Sequence, residues 1–351
     1  MSIRVLDLAG DAAEIGFQHG QGLSAEIKQC LQIYEMVVGT PFSSLRERAA
    51  QIEADIRHIT PNLAIEIENI AEGAGVEPYQ LFLLNARSEL MSTADGCTAI
   101  FKPDIQLLGQ TWDWIQALED LFVVLRIESS DGHRLLTMTE PGMVGKIGLN
   151  SAGLGCTLNF MYSPGKHVGT PVHLLLRSIL DAKHLDEAVA RIEHCIPGQS
   201  GNLMIGTRDG TGCNVELAGV ERTLHAIDNS PFIHTNHHLA REISAGAIEV
   251  NSKTRYQTAA SRIEQELPQT LASFSGILSD VTDDVHPICA PYKPMLGTQI
   301  GTVCTVIMDL ASHHLHIRQG PSPDAPFECV ELAKTPTKVP APVNSSSEVV
   351  L

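Results

Sequence analysis

The stretch Asp95-Gly96-Cys97-Thr98-Ala99-Ile100-Phe101 divides the chain into two unlike parts. Before it, apolar residues recur at helical spacing. After it, short apolar and branched runs alternate with turn signals. A glycine directly before a cysteine at such a boundary is also what backbone self-cleavage needs. The Cys97 thiol attacks the Gly96 carbonyl, the acyl group moves from nitrogen to sulfur, and water removes it. Cys97 then carries a free α-amine beside its own thiol. That amine has a pKa of about 7.7–8.0, which suits it to act as a built-in base. The plain alternative is a turn that enters a strand carrying a small buried cysteine.

Working outward from this boundary, Ile15, Leu23, Ile27, Leu31 and Tyr34 line one helix face within 12–37. Leu45, Ala49, Ile52 and Ile56 mark a second helix, which Pro61 interrupts. Leu63, Ile67, Ile70 and Ala71 mark a third, closed by Gly73 and Gly75. A fourth runs from Pro78 to about Glu89. Beyond Cys97, strands are expected at 97–101, 106–112, 121–128, 133–139 and 154–160. Further strands are expected at 203–206, 213–216, 223–227, 232–235, 302–310 and 314–318. Asp131-Gly132 and Asp209-Gly210 supply hairpin turns. Helical stretches are expected over 171–194, 255–266 and 269–278. This order predicts an α+β chain, two packed antiparallel sheets with helices outside them. Residues 335–351, rich in Pro, Val, Ser and Thr, are expected to be poorly ordered.

The 351 residues are 43% hydrophobic, enough for a large core, and carry a formal net charge of -17. An acidic surface argues against nucleic acid or anionic membrane as a partner. The eight cysteines are scattered without a CxxC pair, which argues against a disulfide scaffold or a zinc motif. No apolar h-region and no run of membrane-spanning length is present. A reducing, cytoplasmic setting is therefore expected.

Candidate polar groups fall at strand ends. Asp113 could hold the α-ammonium, or could simply cap a turn. Asn159 and Asn236 offer neutral amide donors, and Asn150 reads as a turn residue. His234, His237 and His238, with His313, His314 and His316, invite a metal reading. They lack the HExxH carboxylate, and no other motif with ligand spacing appears, so no metal is expected. There is no GxSxG elbow and no Walker A loop.

The chain resembles the isopenicillin N acyltransferase family, N-terminal-nucleophile hydrolases distantly related to choloylglycine hydrolases. The segments that carry the resemblance are Glu14-Ile15-Gly16-Phe17-Gln18-His19-Gly20, Leu84-Asn85-Ala86-Arg87-Ser88-Glu89, Asp95-Gly96-Cys97-Thr98 and Gly109-Gln110-Thr111-Trp112-Asp113. Residues 145–153 and His234-Thr235-Asn236-His237 continue it. The resemblance implies a four-layer αββα fold and autoproteolysis between Gly96 and Cys97. It makes Cys97 the nucleophile, has Asp113 orient its amine, and brings Asn159 and Asn236 to the site, Asn236 as an oxyanion donor. It places Gln110, Trp112 and Ala290 at the substrate. Ala290 departs from the family, which carries an arginine there, so a fixed cation is expected to be missing unless Lys293 reaches in. The peroxisomal ending of the fungal penicillin enzymes is absent as well.

On these grounds the chain is expected to be one structural domain processed into a helical fragment 1–96 and a catalytic fragment 97–334, held together as a heterodimer. The expected activity is cleavage or transfer of an acyl group at an amide or thioester, through a Cys97 acyl-enzyme. The partners are a small amide or acyl thioester and an amine, with acyl-CoA admitted as a substrate and no cofactor needed. A pure amidase on N-acyl or β-alanyl amines, or a non-processing binding protein, are the competing readings. A higher oligomer is left open.

Overall fold

The structure is a computed structural model and describes residues 2–91, 96–162, 169–195, 200–219, 221–243, 246–295 and 297–333. The expected tail at 335–351 and Asp95 lie outside these residues. Helices α1 (Ala12–Gly22), α2 (Ser24–Val38), α3 (Arg46–Ile59), α4 (Pro61–Ala74), α5 (Pro78–Asn85) and α6 (Arg87–Leu90) follow a first strand, β1 (Val5–Gly10). Then come β2 (Gly96–Lys102), β3 (Leu107–Ile115), β4 (Val123–Ser129), β5 (Arg134–Thr139), β6 (Ile147–Asn150) and β7 (Leu154–Phe160). Helices α7 (Val172–Leu180) and α8 (Leu185–His194) precede β8 (Gly201–Thr207), β9 (Gly212–Ala218), β10 (Glu221–Ile227) and β11 (Phe232–His234). The last elements are α9 (Ala247–Gln265), α10 (Leu271–Leu278), β12 (Lys293–Met295), β13 (Thr298–Asp309), β14 (His314–Gln319) and β15 (Glu328–Glu331).

One sheet runs β1-β4-β5-β6-β7-β8-β9-β10, and the other runs β11-β2-β3-β13-β14-β15 with β12 on β13. The first sheet carries α1 to α8 on its outer side, and α9 and α10 cover the second. The layers are thus αββα. Alternation along β2 shows how the layers are filled. Ala99 and Phe101 join the core shared with the first sheet, while Ile100 joins Ile263, Phe274 and Leu278 under α9 and α10.

Several details depart from the sequence expectation: β6, β12 and β15 are additional strands, and the stretch 171–194 is two helices, α7 and α8. The first sheet is not wholly antiparallel, because β1 pairs with β4 in parallel, Val5 beside Val124 through Gly10 beside Ser129. The fragment 1–96 is therefore not purely helical; it adds an edge strand to the sheet made by the rest of the chain. The helix expected over 12–37 is also two helices, broken at Leu23, whose N–H still reaches the His19 carbonyl. The face named for it holds: Ile15, Leu23, Ile27, Leu31 and Tyr34 are all buried.

Helices α1 and α4 approach at backbone contact. A Cβ at Gly16 would sit 2.3 Å from the Glu66 carbonyl oxygen, one at Gly20 2.1 Å from that of Ile70, and one at Gly73 2.3 Å from that of Phe17. These glycines are needed for space rather than for backbone freedom.

Candidate active site

Cys97 is the second residue of β2 and is 1% exposed. In the ladder it stands opposite Trp112, which in turn stands opposite Cys304, so these three side chains share the face toward the first sheet. Gly96 stands opposite Asp113, and Asp113 opposite Thr302, on the other face. The thiol and the carboxylate thus lie on opposite faces, while the Cys97 main chain between them is open to both.

Every polar atom of that main chain is engaged. The Cys97 N–H donates to Asn236 Oδ1 at 2.8 Å. The Cys97 carbonyl accepts from Asn159 Nδ2 at 3.1 Å and from Arg255 Nη1 at 2.7 Å. Arg255 also donates to Asn236 Oδ1 at 2.7 Å and to Thr98 Oγ1 at 2.9 Å. Its Nε is held by Asn251 one helical turn earlier at 2.8 Å. Asn236 sends its Nδ2 to the Phe160 carbonyl at 2.9 Å. Two donors at one end of this carboxamide and a carbonyl at the other fix which atom is oxygen.

Asp113 Oδ1 accepts from Thr302 Oγ1 at 2.6 Å, and Thr302 Oγ1 accepts from the Ala290 N–H at 2.8 Å. The ladder register shifts between Thr302 and Cys304, an irregularity that aims Thr302 at the carboxylate. A Cβ on residue 96 would meet Asp113 Oδ2 at 3.2 Å and Arg255 Nη2 at 3.8 Å. Glycine at 96 therefore leaves room for Asp113 and Arg255 to close on the Gly96–Cys97 peptide bond.

The loop carrying Asn236 is pinned from two sides. The Asn236 N–H donates to Ser252 Oγ at 2.6 Å. Glu216 meets His234 Nε2 at 3.0 Å and accepts from the Leu239 N–H at 2.6 Å. Burial would push the Glu216 carboxyl up, but the hydrogen bonds from His234, His238 and Leu239 outweigh it and hold the group well below the usual carboxylate range. His237 touches Ser252 Oγ at 2.8 Å, and burial followed by repulsion from His234 lowers its pKa to about 4. These three histidines are thus bound up in the loop.

On the face of the thiol, Lys146 Nζ sits 3.4 Å over the Trp112 ring. Glu140 Oε1 receives Arg87 Nη2 at 2.7 Å and the Tyr34 hydroxyl at 2.7 Å, with Lys146 Nζ at 3.8 Å. Arg87 and Lys146 thus both stand at the one buried Glu140 carboxylate.

Most residues named from the sequence meet here: Gly96, Cys97, Asp113, Asn159, Asn236 and Trp112. Gln110 is engaged with the opposite sheet. It donates from Nε2 to the Leu158 carbonyl and accepts the Leu158 N–H at 2.9 Å, tying the two sheets together. Ala290 touches the site through its backbone, its N–H donating to Thr302 Oγ1 and its carbonyl accepting the Thr302 N–H, each at 2.8 Å. Lys293 does not reach in; its Nζ lies on the Asp284 and Val285 carbonyls at an exposed position. The cation expected to be missing comes instead from Arg255. The sequence signal was Asn251-Ser252-Lys253-Thr254-Arg255, which at helical spacing aims Asn251, Ser252 and Arg255 at one side. Asn150 is a structural pin, donating to the Leu180 and Ala182 carbonyls and accepting from Ala152 and Leu154.

The family described as acyl-coenzyme A:6-aminopenicillanic acid acyl-transferase matches residues 100–322. The chain belongs to that family. A relative from Emericella nidulans, the acyl-coenzyme A:6-aminopenicillanic-acid-acyltransferase 40 kDa form, is 27% identical over 339 residues, covering 91% of this chain and 93% of its own. Among solved structures, a Caenorhabditis elegans N-acylethanolamine-hydrolyzing acid amidase ortholog aligns at 14% identity with a TM-score of 0.46, over 61% of this chain and 93% of its own. A mutant conjugated bile acid hydrolase from Clostridium perfringens aligns at 14% identity and a TM-score of 0.46, over 68% and 92%.

Proposed function

We propose that the chain is a self-processing cysteine enzyme that moves acyl groups from amides or thioesters to an amine or to water through a Cys97 thioester. Family membership supports an enzyme of the amidase and acyltransferase kind. The observation that carries the rest is the set of partners on the Cys97 main chain: an acceptor on its nitrogen and two donors on its carbonyl, with an acid beside Gly96.

In processing, the Cys97 thiol forms a bond from Sγ to the Gly96 carbonyl carbon, and the Gly96–Cys97 C–N bond breaks. The thiol proton goes to the departing nitrogen, and water then opens the thioester to a Gly96 carboxylate. The freed α-amine stays beside Asn236 Oδ1, with Asp113 across the ladder. In turnover this amine takes the thiol proton, sulfur attacks the substrate carbonyl, and the proton passes to the leaving amine or thiol. An acceptor amine or water then reverses the steps. Arg255 and Asn159 hold the strand end in place. Asn236 presents its oxygen to the Cys97 nitrogen in the intact chain, and its Nδ2 becomes an oxyanion donor once it leaves the Phe160 carbonyl. Two grooves, of about 860 and 610 Å³, lie elsewhere on the described surface and are not lined by Cys97.

The test is a denaturing gel and N-terminal sequencing of wild type and Cys97→Ala, followed by intact mass after incubation with acyl thioesters and N-acyl amines. Two wild-type bands, the larger starting Cys-Thr-Ala-Ile, and an acyl adduct on that band are expected. An active wild type that remains one chain would refute the proposal.

A further inference from the structure

Away from this site, at the free edge of the second sheet, three side chains with metal-binding chemistry converge. We infer that His314, His316 and Cys329 form a site for a borderline-soft divalent ion such as zinc. The two histidines are two residues apart on β14 and so point to the same face. Cys329 on β15 stands directly opposite His316 in the ladder. The ligand atoms of all three lie within 4.8 Å of one another. A zinc ion bonded at about 2.0–2.3 Å holds its donors roughly 3.3–3.8 Å apart, so small side-chain rotations close the set. The backbone register supplies the preorganisation.

The donor set decides the class of ion. Two imidazoles and a thiolate suit zinc or copper and not magnesium or calcium, which take oxygen. Cys329 is the one exposed cysteine among the eight, so an ion reaches it without unfolding. Three protein donors leave a fourth position for water. Sequence spacing hid the group, because the third donor comes thirteen residues after His316 and from another strand.

The location gives the ion a role. Glu328 of β15 accepts the Ile3 N–H at 3.1 Å, and the Glu331 carbonyl accepts Arg126 Nε at 3.0 Å. An ion joining β14 to β15 therefore fastens the strand that links the edges of both sheets.

The experiment titrates the full, chelator-treated chain with Co²⁺ and with Zn²⁺, reading the visible spectrum, bound metal per chain and the thermal midpoint. One equivalent is expected, with a thiolate-to-cobalt charge-transfer band and a raised midpoint. Cys329→Ser should remove the band, and His316→Ala should weaken binding by at least about 100-fold, beyond what loss of a supporting residue costs. Cys97→Ser should keep both band and stoichiometry, and Cys329→Ser should keep the acyl chemistry. Equal binding in wild type and Cys329→Ser, a band lost in Cys97→Ser, or no binding at all would overturn the inference.

Discussion

Arg255 is the residue on which the site turns, because one guanidinium serves the Cys97 carbonyl, Thr98 and Asn236 at once. It is fully buried, and burial lowers its pKa while Asp113 and Cys97 oppose that shift. Arg255→Ala takes a charged donor from three oxygens at once, and a fall of about 10²-fold in both processing and kcat is expected. Lysine keeps the charge but not the two-pronged geometry, so Arg255→Lys should recover little. Processing time courses on gels check this, and an effect limited to KM would make Arg255 a binding residue. Histidine supplies a second residue-scale prediction. His237, lowered to about 4, stays neutral in the fold and takes up a proton on unfolding below its ordinary value near 6.5. Its contribution is present above that value and is lost as pH falls toward 4, where it adds a slope of about 1.4 kcal/mol per pH unit. Glu89, raised by burial to about 7, acts in the opposite direction. His237→Gln should therefore flatten unfolding free energy against pH between about 6.5 and 4. Denaturant melts at several pH values measure it, and an unchanged slope would show that His237 titrates normally.

At the scale of elements, the contact between α1 and α4 is set by Gly16, Gly20 and Gly73 rather than by apolar side chains. Gly20→Ala puts a methyl group 2.1 Å from a main-chain oxygen that cannot rotate away. A loss of about 1–3 kcal/mol or more is expected, read as a lower denaturant midpoint at unchanged slope. The same alanine at Gly39, which nothing approaches within 4 Å, tests only backbone conformation. The elements also show what could be read in advance. The helical faces, the Asp131-Gly132 and Asp209-Gly210 hairpins and the break at Cys97 were legible because local periodicity and turn chemistry specify them. Strand β1 was not, because Val5–Gly10 is stabilised by parallel pairing with a strand more than a hundred residues away. Strand β15 was missed for the same kind of reason, and Arg255 because an arginine on a helix is ordinary until the fold brings Cys97 beneath it. The tie from Gln110 to Leu158 was not legible, because a glutamine between two sheets and one beside a substrate look alike in sequence.

On the proposed processing, a chain cut after Gly96 is expected to stay one particle. Residues before the cut supply β1 to the first sheet and its outer helices, and Arg87 reaches across to Glu140 inside the core. Pieces 1–96 and 97–351 should therefore co-elute in native chromatography and part only in denaturant. Removing one partner of a buried ion pair costs about 3–5 kcal/mol, so Glu140→Ala should lower the denaturant concentration at which the pieces separate. Dissociation of wild-type pieces in plain buffer would contradict this account of the interface.

The clasp of Ile3 by Glu328 has a further use. The beginning of the chain lies against its last described strand, so the gene can be rearranged in a circle. A permuted chain would start at Cys97, run to residue 333, cross a short linker and finish with residues 2–96. Once the initiating methionine is removed, such a protein is born with the amine that, on the proposed function, the natural order releases by breaking a bond. Activity in the permutant when the natural-order Cys97→Ala chain is dead would separate birth of the nucleophile from its use.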